Sequence, residues 1–450
     1  MKLLYINTYI PYPLDSGGNQ AFFTITDYIR KNHDLSLLLY VHNSKEKKHV
    51  EELMKIWDNV TFYIYEPKKQ KGQALQEQLY TNMSWVDRKT CQFFEYIEHS
   101  MERKIARRTR KYDVITPSLA ETQNTSITQT DLVRNNSTLF MGTGDLTPSF
   151  CQYVKEVAAN GFDIIQVEFY DYLPLVYLFP KDTKKVFIHH EIRFVRNENE
   201  IGLFNNPIST DRLLLEKEKA QELAALSAFD AIVTLTDVDK DILSKYIPSE
   251  RIFASPAITQ TVALEHKKFV PANDLVFVGS GNHFPNADAM VWFCKEVVPL
   301  MQKKGCIIPN IFITGEWSKK LMSGIKGLCP SANFAGYIDD LQAFLNGKIS
   351  IVPVRIGSGM RMKILDSIFA ATPIVTSSKG CEGLPMVNGE NCLIADTAEE
   401  FADATIRLLS DNQLQERLVN NAQNSKTNML NDKELFDKRL SVYKTLLGIK

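Results

Sequence analysis

Arg361 and Lys363 stand directly behind the turn Gly357-Ser358-Gly359, where the apolar run Ile349–Val352 gives way to a helical pattern around Met362–Ala371. Two cations at the start of a helix oppose its macrodipole, and an anion in the same place removes the conflict. Together with the amides of the glycine turn they form a candidate clamp for a pyrophosphate; the alternative is a pair of ordinary surface charges. Asp366 follows Lys363 by three positions, so it falls on a neighbouring helical face and could accept hydrogen bonds from ribose hydroxyls.

Other loops repeat this theme. Gly17 and Gly18 lie in the stretch from Pro11 to Gln20, between the first apolar run, Leu3–Ile6, and a helical pattern from about Gln20 to Lys31. Gly279-Ser280-Gly281-Asn282 follows the run Leu275–Val278 and leads to Pro285-Asn286 at a helix start. Neither loop spells the dinucleotide fingerprint or the Walker loop. Ligands of open α/β sheets bind at the carboxyl ends of strands, so two such loops in two halves place a site in the cleft between them. His190-Glu191 follows Val186–Ile188, and Glu168 follows Ile164–Val167. A neutral imidazole at a strand end can hydrogen-bond a sugar hydroxyl or a reaction centre, with a carboxylate to orient it; otherwise the histidine caps the next helix. Asp237-Val238-Asp239 has the spelling of a metal-binding pair, but it opens a helix, where acids suit the dipole, so no metal site is expected.

The elements that must position these residues alternate short apolar runs with helical patterns, the mark of β-α units around parallel sheets. At 450 residues the chain is long enough for two large domains. Its net charge of −1 speaks against a dedicated nucleic-acid binder. The 7 cysteines are scattered without a CxxC pair, as expected of a reducing compartment. No signal peptide or membrane span is legible, so a cytoplasmic protein is expected, with peripheral contact at the inner membrane face left open. That opening comes from the basic run 103–111, which suits an anionic surface or acceptor, or a solvated helix face.

The segment Gly357 to Leu384 resembles the donor-binding region of retaining GT-B glycosyltransferases of family 4, the glycosyl transferases group 1. The likeness rests on Lys363-Ile364-Leu365-Asp366, Ala371-Thr372-Pro373-Ile374-Val375 and Gly380-Cys381-Glu382-Gly383-Leu384. Asp15-Ser16-Gly17-Gly18, Phe277-Val278-Gly279-Ser280 and Gly336-Tyr337 before Asp339-Asp340 match in the family's order. The resemblance implies a nucleotide-diphosphate sugar, of UDP or GDP type, on the second domain. It implies a glycan or lipid-linked acceptor mainly on the first domain, and transfer with retention and no essential metal or other cofactor. It assigns His190 and Glu191 to catalysis. Gly279, Ser280, Gly281, Gly336, Tyr337, Gly357, Ser358, Gly359, Arg361, Lys363, Asp366, Glu382, Gly383 and Leu384 fall to the donor, and Gly17 and Gly18 to an acceptor or phosphate loop. The family's Glu-x7-Glu motif has its second acid at Asp366, whereas its first position is Ser358 here. No Lys or Arg lies between Gly279 and Lys295 to supply the family's usual basic pair.

The expected architecture is therefore two Rossmann-like α/β domains facing each other across a cleft. Residues 1–258 form the acceptor-side domain, with an irregular insertion at about 89–148, and 259–270 the linker. Residues 271–430 form the donor domain, and 431–450 a helix that packs back on the body. A hexosyltransferase-type enzyme is expected. Alternatives are a nucleotide-sugar epimerase of the same fold and a catalytically silent protein that binds sugar nucleotides or glycans.

Overall fold

The computed structural model describes residues 1–14, 17–67, 145–203, 209–257, 267–426 and 432–449. Residues 89–144 of the expected insertion, the basic run 103–111 with them, and residues 259–266 of the expected linker lie outside the described residues, as do Asp15 and Ser16. Two parallel sheets carry the chain. The first has seven strands: β1 (Lys2–Asn7), β2 (Asp34–Tyr40), β3 (Thr61–Tyr65), β4 (Ile164–Glu168), β5 (Lys184–His189), β6 (Ala231–Thr234) and β7 (Ile252–Ala254). They lie in the order β3-β2-β1-β4-β5-β6-β7. The second has six: β8 (Asp274–Phe277), β9 (Ile311–Thr314), β10 (Ala332–Gly336), β11 (Lys348–Val352), β12 (Ile374–Thr376) and β13 (Leu393–Ile394). Their order is β10-β9-β8-β11-β12-β13.

Strand β1 shows why the first sheet is central: residues Leu3 to Ile6 are fully buried, as in a strand covered on both faces. Alternation sends Leu4 and Ile6 into the core with Phe150, Phe187 and Phe229, and Leu3 and Tyr5 into the opposite core with Phe22 and Trp57. The helix Asp432–Leu447 contributes Leu435, Val442 and Tyr443 to this opposite core of the first sheet, so the chain returns to that sheet after completing the second. In the second sheet Leu275 and Phe277 enter the main core while Val276 faces a small cluster with Leu345 and Ala370.

Each sheet reverses its strand order beside its first strand, between β1 and β4 and between β8 and β11. These switch points are where open α/β sheets leave a crevice at the strand ends. The helix expected over Ala287–Met301 is broken in one place, running Phe284–Trp292, then a wide π turn at Phe293–Val297, then Val298–Lys303. Pro299 has no amide to give, and the hydrogen-bond pattern slips ahead of it. Among the described residues no helix is long and apolar enough to cross a membrane.

Candidate active site

The first-domain half of the site stands at the ends of β4 and β5. Glu168 pairs with Ile188 in the ladder, which brings it beside the residue after β5. His190 Nε2 lies 2.5 Å from Glu168 Oε2. Gln166, on the same face of β4, donates from Nε2 to Glu168 Oε1 at 2.6 Å. Its own Oε1 accepts from the Tyr443 hydroxyl, which is 2.8 Å from that of Tyr5. Tyr5, Gln166, Glu168 and Tyr443 are all buried, so the chain of hydrogen bonds behind His190 is dry and each link constrains the next.

Phe169 stacks on the His190 ring at 4.0 Å between centroids, with the planes 10° apart. It does so at φ +66°, a region aromatic residues rarely enter, which costs on the order of 1–3 kcal/mol and is characteristic of functional sites. Glu191 does not take the orienting role expected of it. Its Oε2 accepts from Arg196 Nη1 at 2.9 Å, and Arg196 also holds Glu200 at 2.9 Å. Burial pushes the Glu191 pKa up, but Arg196, then His283 and Arg193, outweigh it and bring the group down to about 2. The carboxylate on His190 is Glu168, because β4 ends one ladder step from β5 whereas Glu191 has already turned toward the helix Arg193–Gly202.

The second half stands at the β8–β11 switch. Lys363 Nζ donates to Asn286 Oδ1 at 2.6 Å and lies 4.4 Å above the centre of the Phe277 ring. Burial, then the charge of Arg361, lowers its pKa to about 7. Asp366 is raised to about 7 by burial, against the pull of Lys363. Arg361 is the N-cap of the helix Met362–Phe369 rather than part of its first turn, and its guanidinium donates to the carbonyls of Ser358 and Gly359. Burial lowers its pKa while Glu191, Glu382 and Asp239 pull it back up. Neither cation is bonded to a carboxylate among the described residues. Arg355, by contrast, is spent on Asp288, with contacts at 2.7 and 3.1 Å. His283 is open to the cleft yet walled by protein, and this loss of solvation, with Arg196, Lys363 and Arg361 around it, lowers its pKa.

The glycine turn is committed to the first domain. Gly359 has φ +78°, and a Cβ added there would stand 2.0 Å from the carbonyl oxygen of His190. Only glycine lets this turn approach so closely. Its amide donates to Asp239 Oδ2 at 3.1 Å, the Gly357 amide to Asn199 Oδ1 at 3.2 Å, and Ser358 Oγ accepts from the Ile192 amide at 2.5 Å. Gly17 abuts Met362 and Gly383 abuts Thr236 in the same manner.

Four of the glycine amides expected at the phosphates have protein partners. Those of Gly357 and Gly359 are spent across the cleft, and those of Gly279 and Gly281 on Thr314 Oγ1 and the Glu316 carbonyl. Thr236 caps the helix Asp237–Leu243, and Asp239 turns inward to bond Thr236 Oγ1 at 2.6 Å as well as Gly359. Burial, opposed by Thr236, raises its pKa.

The remaining expected residues are more dispersed. Ser280 Oγ donates to the Glu316 carbonyl at 2.8 Å. Gly336 ends β10, and Tyr337 beyond it is 58% exposed. Glu382 is bonded to Lys379 by its side chain, and Leu384 packs against the second core. Gly18 lines a cavity of about 720 Å³ at the ends of β1 and β2, bounded also by Tyr9, Tyr40, His42 and Phe169. Phe169, Asn286 and the domain-joining role of Asp239 were not foreseen from the sequence. Asn286 was visible as part of Pro285-Asn286, but nothing in the sequence told that Lys363 would reach it.

Residues 272–411 match the family model described as glycosyl transferases group 1. An uncharacterized 44.6 kDa protein in the cps region of Klebsiella pneumoniae is 26% identical over 189 residues, which are 39% of this chain and 46% of that relative. The match thus spans less than half of the curated protein. A solved structure of a S. aureus TarM mutant, in complex with fondaparinux, α-GlcNAc-glycerol and UDP, aligns with a TM-score of 0.59 at 12% identity, over 98% of this chain and 100% of that one. Anabaena HepE in complex with UDP aligns at 0.56 and 11% identity, and sucrose-phosphate synthase from Thermosynechococcus elongatus at 0.59 and 11%, each over 100% of both chains. With its two parallel α/β sheets the molecule has the GT-B fold.

Proposed function

We propose that the chain, whose residues 272–411 match the glycosyl transferases group 1 model, is a metal-independent, retaining glycosyltransferase. It moves a hexosyl group from a UDP- or GDP-type sugar to a glycan or lipid-linked acceptor. The observation that carries the reading is the pair Arg361 and Lys363, two cations without an acid partner among the described residues, held where the glycine turn meets the His190 backbone. The diphosphate lies on this pair, and Asp366 receives the ribose. As the anomeric carbon–oxygen bond breaks, negative charge grows on the departing phosphate, and fixed cations in a partly dry cleft stabilise it more than they stabilise the bound donor. The acceptor oxygen attacks from the same face, and its proton passes to the leaving phosphate. His190, held by Glu168 and Phe169, hydrogen-bonds the transferred sugar. No protein nucleophile is required.

The UDP complexes of TarM and HepE support a uridine nucleotide as the first donor class to try. The test is thermal stabilisation by UDP, GDP and ADP, followed by donor turnover with mixed acceptors. Nucleotide released only with an acceptor supports the reading. An isomerised donor marks an epimerase, and binding without turnover marks a sugar-nucleotide binding protein. Either result refutes the transferase. Should transfer occur, lipid-linked acceptors on vesicles would test whether the enzyme works in the cytoplasm against a membrane face.

A further inference from the structure

The cavity of about 720 Å³ at the ends of β1 and β2 is within the size range of small-molecule sites. Its walls combine aromatic faces with carboxylates. Tyr9, Tyr12, Tyr40 and Phe169 line it, with Tyr9 edge-on to Phe169 at 5.0 Å. Phe169 is also the residue stacked on His190, so the cavity ends on the wall that holds the proposed catalytic imidazole. Glu46 and Asp145 line the same space together with His42 and His49, and among the described residues no Lys or Arg does.

The charged groups are organised around His42. Its Nδ1 lies 3.0 Å from Glu46 Oε2 and its Nε2 lies 2.7 Å from Asp145 Oδ2, while its ring leans on Tyr40 at 4.5 Å. Glu46 is further tied down by the His42 amide at 2.8 Å and by Asn43 Nδ2 at 2.7 Å. Partial burial works against a charge on His42, but the bonds to Asp145 and Glu46 prevail and raise its pKa. With two carboxylates around one imidazole the cluster is negative whichever form His42 takes, its charges set in fixed positions and its oxygens carrying lone pairs to spare. His42, Glu46 and Asp145 all remain part-exposed.

We propose that this cavity binds the acceptor through a sugar ring that carries no negative charge, whose apolar face rests on the aromatic wall and whose hydroxyls donate to Glu46 and Asp145. Calling the ligand an acceptor rests on the glycosyl-transfer reading; its chemical class rests on the cavity alone. An anionic ring meets a like charge without a cation to offset it, and is rejected on the order of tenfold, about 1.4 kcal/mol. An aminosugar meets the opposite charge and gains by a comparable factor.

Saturation-transfer NMR competition at neutral pH with three probes tests this: methyl β-D-glucopyranoside, methyl β-D-glucuronide and the methyl β-glycoside of glucosamine. The neutral ring is expected to bind, the aminosugar to bind at least as well, and the glucuronide to bind at least threefold more weakly than the neutral ring. In the Asp145→Asn/Glu46→Gln double variant the discrimination against the glucuronide should fall below threefold, and Phe169→Ala should weaken all three probes together. A glucuronide within threefold of the neutral ring in the wild-type protein, an aminosugar bound more than threefold more weakly than the neutral ring, no binding of the neutral ring, or discrimination untouched by removal of the carboxylates overturns the proposal. The two readings fail separately. Neutral-ring binding with no transfer from any nucleotide sugar overturns only the transferase, and transfer to strongly anionic acceptors in preference to neutral ones overturns only the cavity's assignment.

Discussion

Lys363 titrates near neutrality in the free protein, and this links nucleotide binding to protons in a way that can be measured. With its pKa lowered to about 7 by burial and Arg361, the lysine is roughly 90% neutral at pH 8. A diphosphate held beside it restores the charge, so binding takes up close to one proton at pH 8 and far less at pH 6. Affinity is therefore flat below the free-state pKa and declines above it, by about tenfold between pH 6 and pH 8, or ~1.4 kcal/mol. Calorimetry of UDP binding, or GDP if that nucleotide is the one bound, in two buffers of different ionisation enthalpy reads the proton count directly. The matched perturbation is Lys363→Met. It should weaken the diphosphate by ~1.5–3 kcal/mol at pH 6, as expected for a lost charge-assisted hydrogen bond, and leave the nucleoside nearly untouched. It should also abolish the extra proton uptake, and protons carried by the nucleotide itself cancel in the difference between the two proteins. The stability of the free protein provides a second reading. A lysine whose folded-state pKa lies below its unfolded value binds fewer protons when folded, so its penalty is fully present below about pH 7 and vanishes as pH rises toward 10. Lys363→Met should accordingly raise the melting temperature at pH 6 and lose that gain by pH 10. Equal proton uptake by the wild-type and variant proteins would refute the reasoning, and with it the placing of the diphosphate on this lysine.

Replacement of His190 by Ala should lower turnover by roughly 10²-fold or more with nucleotide affinity intact in calorimetry, because its bonds lie on the other side of the cleft from Lys363. Tyr443→Phe removes the donor to the buried Gln166 Oε1 and should cost ~1–3 kcal/mol in urea unfolding, with a fall in turnover but not in donor affinity. Gly359→Ala places a methyl group against the His190 carbonyl at positive φ, and should abolish transfer while UDP still protects the protein thermally; full activity would show that the two domains do not meet as described. Chelation by EDTA should leave transfer unchanged, and activity that is lost to EDTA and restored by Mn²⁺ would overturn the metal-independent mechanism.

The parts of the fold that were legible in the sequence are those with a strong local period. Leu3–Ile6, Ile164–Val167 and Ile349–Val352 are short apolar runs closed by polar residues, and each is a strand. The edge strands Ile252–Ala254 and Leu393–Ile394 are too short to announce themselves, and only pairing with β6 and β12 makes them strands. In the site, Arg361 and Lys363 stood out because cations at a helix start are locally unfavourable. Residues whose roles depend on the other domain did not stand out. Asp239 looks like any acid in a first helical turn until the Gly359 amide is brought to it, and Glu191 looks like the orienting acid until β4 delivers Glu168 instead.

The return of the helix Asp432–Leu447 to the first sheet bears on how such enzymes can be recombined. Its Arg439 bonds Ser255 just beyond β7, and its Tyr443 reaches Gln166, whereas Leu414 and Leu418 of the preceding helix, Asn412–Lys426, belong to the second core. The unit built on the second sheet is thus an inserted cassette in the primary sequence. A chimera spliced once between the two sheets would import a foreign terminal helix onto the native first sheet and misplace the hydroxyl that bonds Gln166. A transplant with two junctions, one in 258–266 and one in 427–431, leaves that contact with its own partner. Donor preference should therefore be exchangeable between relatives by the double-junction graft and not by the single one.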